Sequence, residues 1–535
     1  MSEKVTRSDE KKSIFGLEIN GPVFFTSVIL IVAMITLVLI FNESAEEFFN
    51  KVQTNVSEFG GWLYVLSVNV FLVFVLFLAF SKFGKIRLGG KDAEPEFKTV
   101  SWFSMLFSAG MGIGLLFWSV AEPVTHYGAP PNADPNTIDA AKEAMNFSFL
   151  HWGFHPWAIY ALVGLALAFF TYSRGLPLTF RSVFYPFLGD KIYGRTGDII
   201  DIFAVLATLF GLATSLGFGV QQVAAGLEQV FGMSSGTTTQ VLLIAGITAV
   251  ATISVVLGVD KGVKILSEWN IRIAVVLLIL VLILGPTLFV FESYLENLGN
   301  YFSSVVELSL WNESFTGGDW QNDWTIFYWG WWISWSPFVG TFIARVSKGR
   351  TVKEFILGVL IVPSLITFFW ITVFGNSALD AIMDGNNAIA TAVDNDVATA
   401  LFIFFEDFPF TIVLNVVAIL LIMGFFITSS DSGSLVIDSL TSGGKIEAPV
   451  GQRIFWAVTE GAVAAVLLIG GGLGALQTAA ITTGLPFAII LLIMCYSLFN
   501  GLKDESKKHE KRKENEQKED YEEIVSNIIK KRTKN

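Results

Sequence analysis

The sequence is poor in charge and nearly free of cysteine. Asp, Glu, Lys and Arg make up only 15% of its 535 residues, where soluble chains carry about 25%. Hydrophobic residues make up 53%, with 49 Phe and 15 Trp. A soluble core cannot hide that much apolar surface, so lipid must solvate most of it. The one cysteine, Cys495, lies in an apolar run. It excludes a disulfide framework and reads as a small buried hydrophobe. The net charge of -12 belongs mainly to loops and tails, so no nucleic-acid partner is expected. There are only four His residues. His151 and His155 lie one turn apart, but no acidic third ligand stands at useful spacing. No metal centre, cofactor or catalytic constellation is therefore expected, and a membrane-embedded enzyme is disfavoured. The first apolar run, from about 21 to 41, is too long for a signal-peptide core and lacks a small-residue cleavage pattern. It reads as a retained membrane helix.

What is present is a series of long apolar runs. A bilayer takes roughly 20 such residues per helix. Runs centre near residues 31, 71, 110, 160, 215, 249, 281, 332, 365, 420, 462 and 487, which predicts an all-α membrane protein of about 12 spans. Only the glycine-rich stretch 470–474 separates the last two. Basic residues fall in alternate loops, at 82–98, 174–195, 261–264, 345–353 and 445–453. Loops 293–323 and 377–408 contain neither Lys nor Arg. By the positive-inside rule both termini are cytoplasmic, in a cell (inner or plasma) membrane. The expected division is a tail at 1–20, two peripheral spans and a basic loop at 21–99, and five spans at 100–292. An amphipathic surface segment follows at 293–320, then five more spans at 321–500. Residues 501–535 form a tail dense in both signs of charge, with neither Pro nor Gly beyond 503. That tail reads as a solvated helix or a disordered solubilising segment.

Two spans carry the residues that unwound backbone needs. The third contains Gly110, Gly112 and Gly114 in alternation. The eighth contains Gly330, Ser336, Pro337 and Gly340. Such glycines serve either close helix packing or a broken helix, whose free N–H groups bind ions and carboxylates. Unwound backbone at bilayer depth occurs only beside protein or a water-filled cavity. The two spans open corresponding five-helix sets (3–7 and 8–12), the pattern of an inverted-repeat transporter. Such symmetry argues for alternating access and against a channel.

Aromatic residues crowd the same depth. Trp329, Trp332 and Trp335 share one face of the eighth span, with Trp331 four residues before Trp335. Trp152, Trp157 and Tyr160 fall within about 140° of arc on the fourth. An interfacial belt explains Trp320 and Trp324, but not Trp residues at mid-membrane. Indole faces attract cations at roughly 0.5–2 kcal/mol each, and a trimethylammonium group donates no hydrogen bonds. The central stretches of the third, fourth and eighth spans read as free of Asp and Glu, so a zwitterion fits. Its cation would enter the Trp box and its carboxylate would meet the glycine-exposed N–H groups. In the tenth span, Thr428 and Ser429 either satisfy themselves on the preceding turn or offer hard oxygen ligands to a cation.

Gly110-Met111-Gly112-Ile113-Gly114, followed by Phe117-Trp118-Ser119-Val120-Ala121-Glu122-Pro123, resembles the third-helix signature of the betaine/choline/carnitine transporter family. The run from Trp329 through Trp335 to Gly340 resembles that family's Trp-rich eighth-helix signature. The resemblance spans nearly the whole chain. It implies a five-plus-five inverted-repeat core, assembled as a homotrimer. It implies a substrate box of Trp152, Trp157, Tyr160 and Trp332, with Trp335 on the pathway. It also implies one sodium site from Ser108, Met111 and Phe425 backbones with Thr428 and Ser429 side chains. A second would lie near Thr208 and Phe338. There the family pattern has two threonines one turn apart, and this chain departs from it with Leu212, although Thr214 and Ser215 are nearby. Gly114 stands where choline carriers tend to have Asp, which favours glycine betaine with sodium as coupling ion, for osmoprotection. Choline or carnitine carriage is the nearest alternative.

Overall fold

The computed structural model describes residues 18–110, 112–257, 262–445 and 449–532. No strand occurs among them; one isolated bridge joins Arg87 and Thr351. The first two spans are α1 (Gly21–Ile40) and α2 (Asn42–Phe80). The third span is two helices, α3 (Thr99–Gly110) and α4 (Ile113–Gly128), with Gly112 outside helical geometry at φ -167° and ψ -138°. The fourth is also divided, into α5 (Ile138–Trp152) and α6 (Phe154–Ala168), by Gly153 at φ -100° and ψ -132°. Trp152 therefore stands on a different helix from Trp157 and Tyr160, and one helical wheel does not relate them.

The next three spans are α7 (Arg195–Phe231), α8 (Thr237–Leu257) and α9 (Gly262–Leu284). The amphipathic segment is α10 (Thr287–Leu310), which starts six residues before its sequence-based boundary. It buries Val290, Ser293, Asn297 and Tyr301, and exposes Leu288, Leu295, Phe302 and Val306.

The eighth span, α11 (Thr325–Val346), is continuous, contrary to expectation. Proline removes the N–H that would bond the carbonyl four residues back, here that of Ile333. The Ser336 hydroxyl donates to this carbonyl at 2.7 Å and repairs the ladder. The glycines of α11 serve packing instead. A Cβ on Gly330 would lie 2.9 Å from Ile481 Cα, and one on Gly340 would lie 3.2 Å from Gly164 N.

The ninth span is α12 (Val352–Ile371), begun by a capping box between Thr351 and Glu354. The tenth is α13 (Thr411–Thr441). The last two spans and the tail run through α14 (Val450–Arg532), kinked at Gly471 and Gly472. Gly472 has φ 56° there, which glycine accepts without strain.

Among the described residues, nine helices qualify as membrane spans by length and apolarity. The twelve predicted spans are reached because the third is broken into short pieces, α11 is Trp-rich rather than strongly apolar, and α14 holds two spans. The protein is an all-α, multi-pass membrane protein. Its layers follow burial. The α5–α6 window is 94% buried and the α7 window 72%, against 28% for α1 and α8 and 22% for α9. The inner helices make the core, and the outer ones present aliphatic faces to lipid. In corresponding positions of the two five-span sets, the fourth and ninth spans each end in five π-helical residues, 169–173 and 372–376.

Candidate functional site

The glycines of the third span lie against the aromatic residues. A Cβ on Gly110 would strike the six-membered ring of Trp157. One on Gly114 would lie 2.5 Å from Trp331 Cη2 and 3.1 Å from Trp152 Cη2. Only a residue without a side chain lets the backbone approach the rings this closely. The breaks at Gly112 and Gly153 and the Trp-rich stretch of α11 thus converge at one place, deep in the core.

The rings form a connected wall. Trp152 meets Trp332 edge to face at 4.9 Å between centroids. Tyr160 lies 5.5 Å from Trp157, 6.3 Å from Trp332 and 6.3 Å from Trp335. Trp331 stacks on Trp332 at 4.5 Å and on Phe327 at 5.5 Å, so it is engaged by its own helix. Trp329 turns to His155 at 5.7 Å. Indole N–H groups fix the rings: Trp332 Nε1 donates to the His151 carbonyl at 2.8 Å, and Trp331 Nε1 to Ser215 Oγ at 3.2 Å. The Trp335 Nε1 and Tyr160 hydroxyl have no protein partner, which leaves two buried polar atoms beside the wall for a polar ligand.

One residue here was missed from sequence. Glu122 on α4 is 1% exposed, and its carboxylate is part of the site's support. Oε2 accepts from Trp152 Nε1 at 2.7 Å and from the Tyr328 hydroxyl at 2.5 Å. Oε1 faces His151 Nδ1 at 2.7 Å and His126 Nε2 at 3.3 Å. The expectation of a carboxylate-free region is corrected: an acidic group braces the box. The expectation that no acidic ligand accompanies the histidines is corrected too, because Glu122 arrives from another helix. His126, in the last turn of α4, is fully buried. The signal was available, since a lone Glu in an apolar helix has to find partners.

The hydroxyls of the tenth span lie across from the broken third span. Ser429 Oγ is the nearest atom to a Cβ built on Gly112, at 4.0 Å. Thr428 Oγ1 donates to the Gly424 and Phe425 carbonyls at 3.0 and 3.2 Å, and Asn270 Nδ2 approaches it at 3.5 Å. Ser108 stands in the last turn of α3; Met111 lies outside the described residues. Around Thr428, one hydroxyl and two carbonyl oxygens meet without a formal charge.

For the second set, a Cβ on Gly211 would meet the Ser334–Trp335 backbone at 2.9 Å. Thr208 and Phe338 each lie about one turn from this crossing of α7 and α11 along their own helices. The Thr208 hydroxyl is occupied by the Ala204 carbonyl at 2.6 Å. Thr214 bonds Phe210 and Leu476 carbonyls, Ser215 serves Trp331, and Leu212 packs toward Gly433.

A family model described as betaine/carnitine/choline family transporter matches residues 22–507. A glycine betaine/proline/choline/ectoine transporter of Vibrio parahaemolyticus is 49% identical over 503 residues, 92% of this chain and 88% of the relative. Glycine betaine transporter 1 of the same organism is 48% identical, covering 92% and 95%. A glycine betaine transporter of Acinetobacter baylyi is 44% identical, covering 92% and 74%. Members of this family are transporters, not enzymes. The chain belongs to the betaine/carnitine/choline transporter family.

Proposed function

We propose that this transporter takes up glycine betaine together with sodium, as protection against osmotic stress, through a five-plus-five repeat core in a homotrimer with both termini cytoplasmic. The observation that carries the reading is the meeting of three elements at one depth. The unwound Gly112 region supplies backbone groups, Trp152, Trp157, Tyr160 and Trp332 supply aromatic faces, and Ser429 faces the break. A zwitterion uses the first two and a hard cation the first and third. The relatives' names, which include glycine betaine, support the substrate class.

Glu122 favours a second reading, in which a net cation such as choline is carried. Its carboxylate, however, already faces four protein groups. It therefore supports the box more readily than it pairs with a substrate, and betaine remains preferred. Carnitine, with its own carboxylate, is separated by competition only.

Radiolabelled betaine uptake in a transport-deficient host tests the proposal. Uptake should be saturable, should collapse when potassium replaces sodium, and should be competed better by unlabelled betaine than by choline or carnitine. Uptake indifferent to sodium, or competed best by choline, contradicts it.

A further inference from the structure

The two oxygens of Glu122 divide their work. Oε2 faces the aromatic box; Oε1 faces His126 and His151. His126, His151 and Glu122 each offer one ligand atom, these atoms lie within 4.8 Å of one another, and all three residues are buried. We infer that they form a binding site for a borderline divalent transition-metal ion of the Zn2+ type, set directly behind the substrate box.

Three features carry this. First, two imidazoles and one carboxylate are a zinc-type donor set, and three protein ligands leave a fourth position for water. Tetrahedral ligation at about 2.0–2.1 Å sets donors about 3.3 Å apart. The Oε1–Nε2 distance is already 3.3 Å and the Oε1–Nδ1 distance 2.7 Å, so two of the three donor separations are near that value. Second, the outer support that orients metal ligands is in place for two of the three. His151 Nε2 contacts Thr325 Oγ1 at 3.0 Å, which leaves Nδ1 free to ligate when Nε2 carries the proton. Glu122 Oε2 is held by Trp152 and Tyr328. His126 Nδ1 has no partner and can carry the proton that frees Nε2. Third, the site lies behind a thin cover. The rings of Trp320 and Trp324 sit 4.8 and 4.5 Å from His126, at the end of α11 opposite the basic residues 345–353.

Binding draws Oε1 toward the ion while Oε2 keeps Trp152. The ion therefore ties the box to α4 and α5 and resists its rearrangement. This consequence for uptake rests on the proposed transport; the binding does not.

The test uses the full chain in detergent, stripped with chelator and titrated with Co2+ as an optical probe, then with Zn2+. One Co2+ per chain should bind with a ligand-field spectrum of four-coordination and be displaced by Zn2+. Affinity should fall at least about tenfold in His126→Gln, which leaves the Trp152 and Tyr328 bonds untouched, and similarly in His151→Gln. Wild-type protein that binds no Co2+ overturns the inference. So does binding that both variants retain, since the ion then sits elsewhere.

Discussion

Glu122 accepts a hydrogen bond from the indole of Trp152 at 2.7 Å. This pairing fixes one wall of the aromatic box and places a negative charge behind it. Hydrogen bonds to charged groups contribute about 1.5–3 kcal/mol, so the brace should be visible in substrate affinity. Glu122→Gln keeps the size but loses the charge. It should weaken betaine binding about tenfold, or ~1.4 kcal/mol, with normal abundance in the membrane. A variant with wild-type affinity shows that Trp152 needs no such support.

Gly114 sets how close the third span comes to the rings. A methyl group there would sit 2.5 Å from Trp331 Cη2, so Gly114→Ala should displace Trp331 and lower betaine affinity while leaving some transport. Gly114→Asp adds a carboxylate at the same place. Against the carboxylate of betaine it costs about 4 kcal/mol at 4 Å and an effective dielectric of 20, whereas choline gains a partner. Uptake of both substrates by the two variants is the check. If Asp carries betaine as well as Ala does and gains no choline uptake, Gly114 does not face the substrate.

Ser429 and Thr428 are the proposed sodium ligands. Thr428→Ala with Ser429→Ala should raise the sodium concentration for half-maximal uptake severalfold, with far less change in protein abundance. Unaltered sodium dependence would move the ion elsewhere.

The tail of α14 lies along the basic loops. Glu510 pairs with Lys82 at 3.2 Å, Glu516 with Lys91 at 3.3 Å, and Glu505 with Arg174 at 3.3 Å. The first two pairs are largely exposed, and such pairs contribute about 0.2–1 kcal/mol each. Salt screens them over about 8 Å at physiological strength. Rising internal salt should therefore loosen the tail. Truncation after Lys503 should preserve basal uptake and flatten its response to osmolality. A full osmotic response without the tail removes this role.

The spans were legible in sequence because apolar length and alternating basic loops report on the bilayer directly. The glycine-aromatic site was legible because both halves are short, dense patterns within single helices. What escaped depended on partners. Pro337 promised a break, but the neighbouring Ser336 hydroxyl serves the carbonyl that proline leaves open. The division of the fourth span at Gly153 had a local sign, Pro156, which is tolerated in a helix's first turn. Glu122 entered the sequence reading only as part of the third-span signature. Its role emerges only when α5 and α11 supply His151, Trp152 and Tyr328 from far along the chain.

The central claim is that the ligand's cation is held by the box around Trp332. Its most direct measurement is tryptophan fluorescence during betaine titration of purified protein in sodium, comparing wild type with Trp332→Ala and Trp332→Phe. Each indole face contributes about 1–2 kcal/mol, so Ala should weaken binding by roughly 5- to 30-fold and Phe by less. Equal affinities in all three proteins would place the betaine cation away from the box.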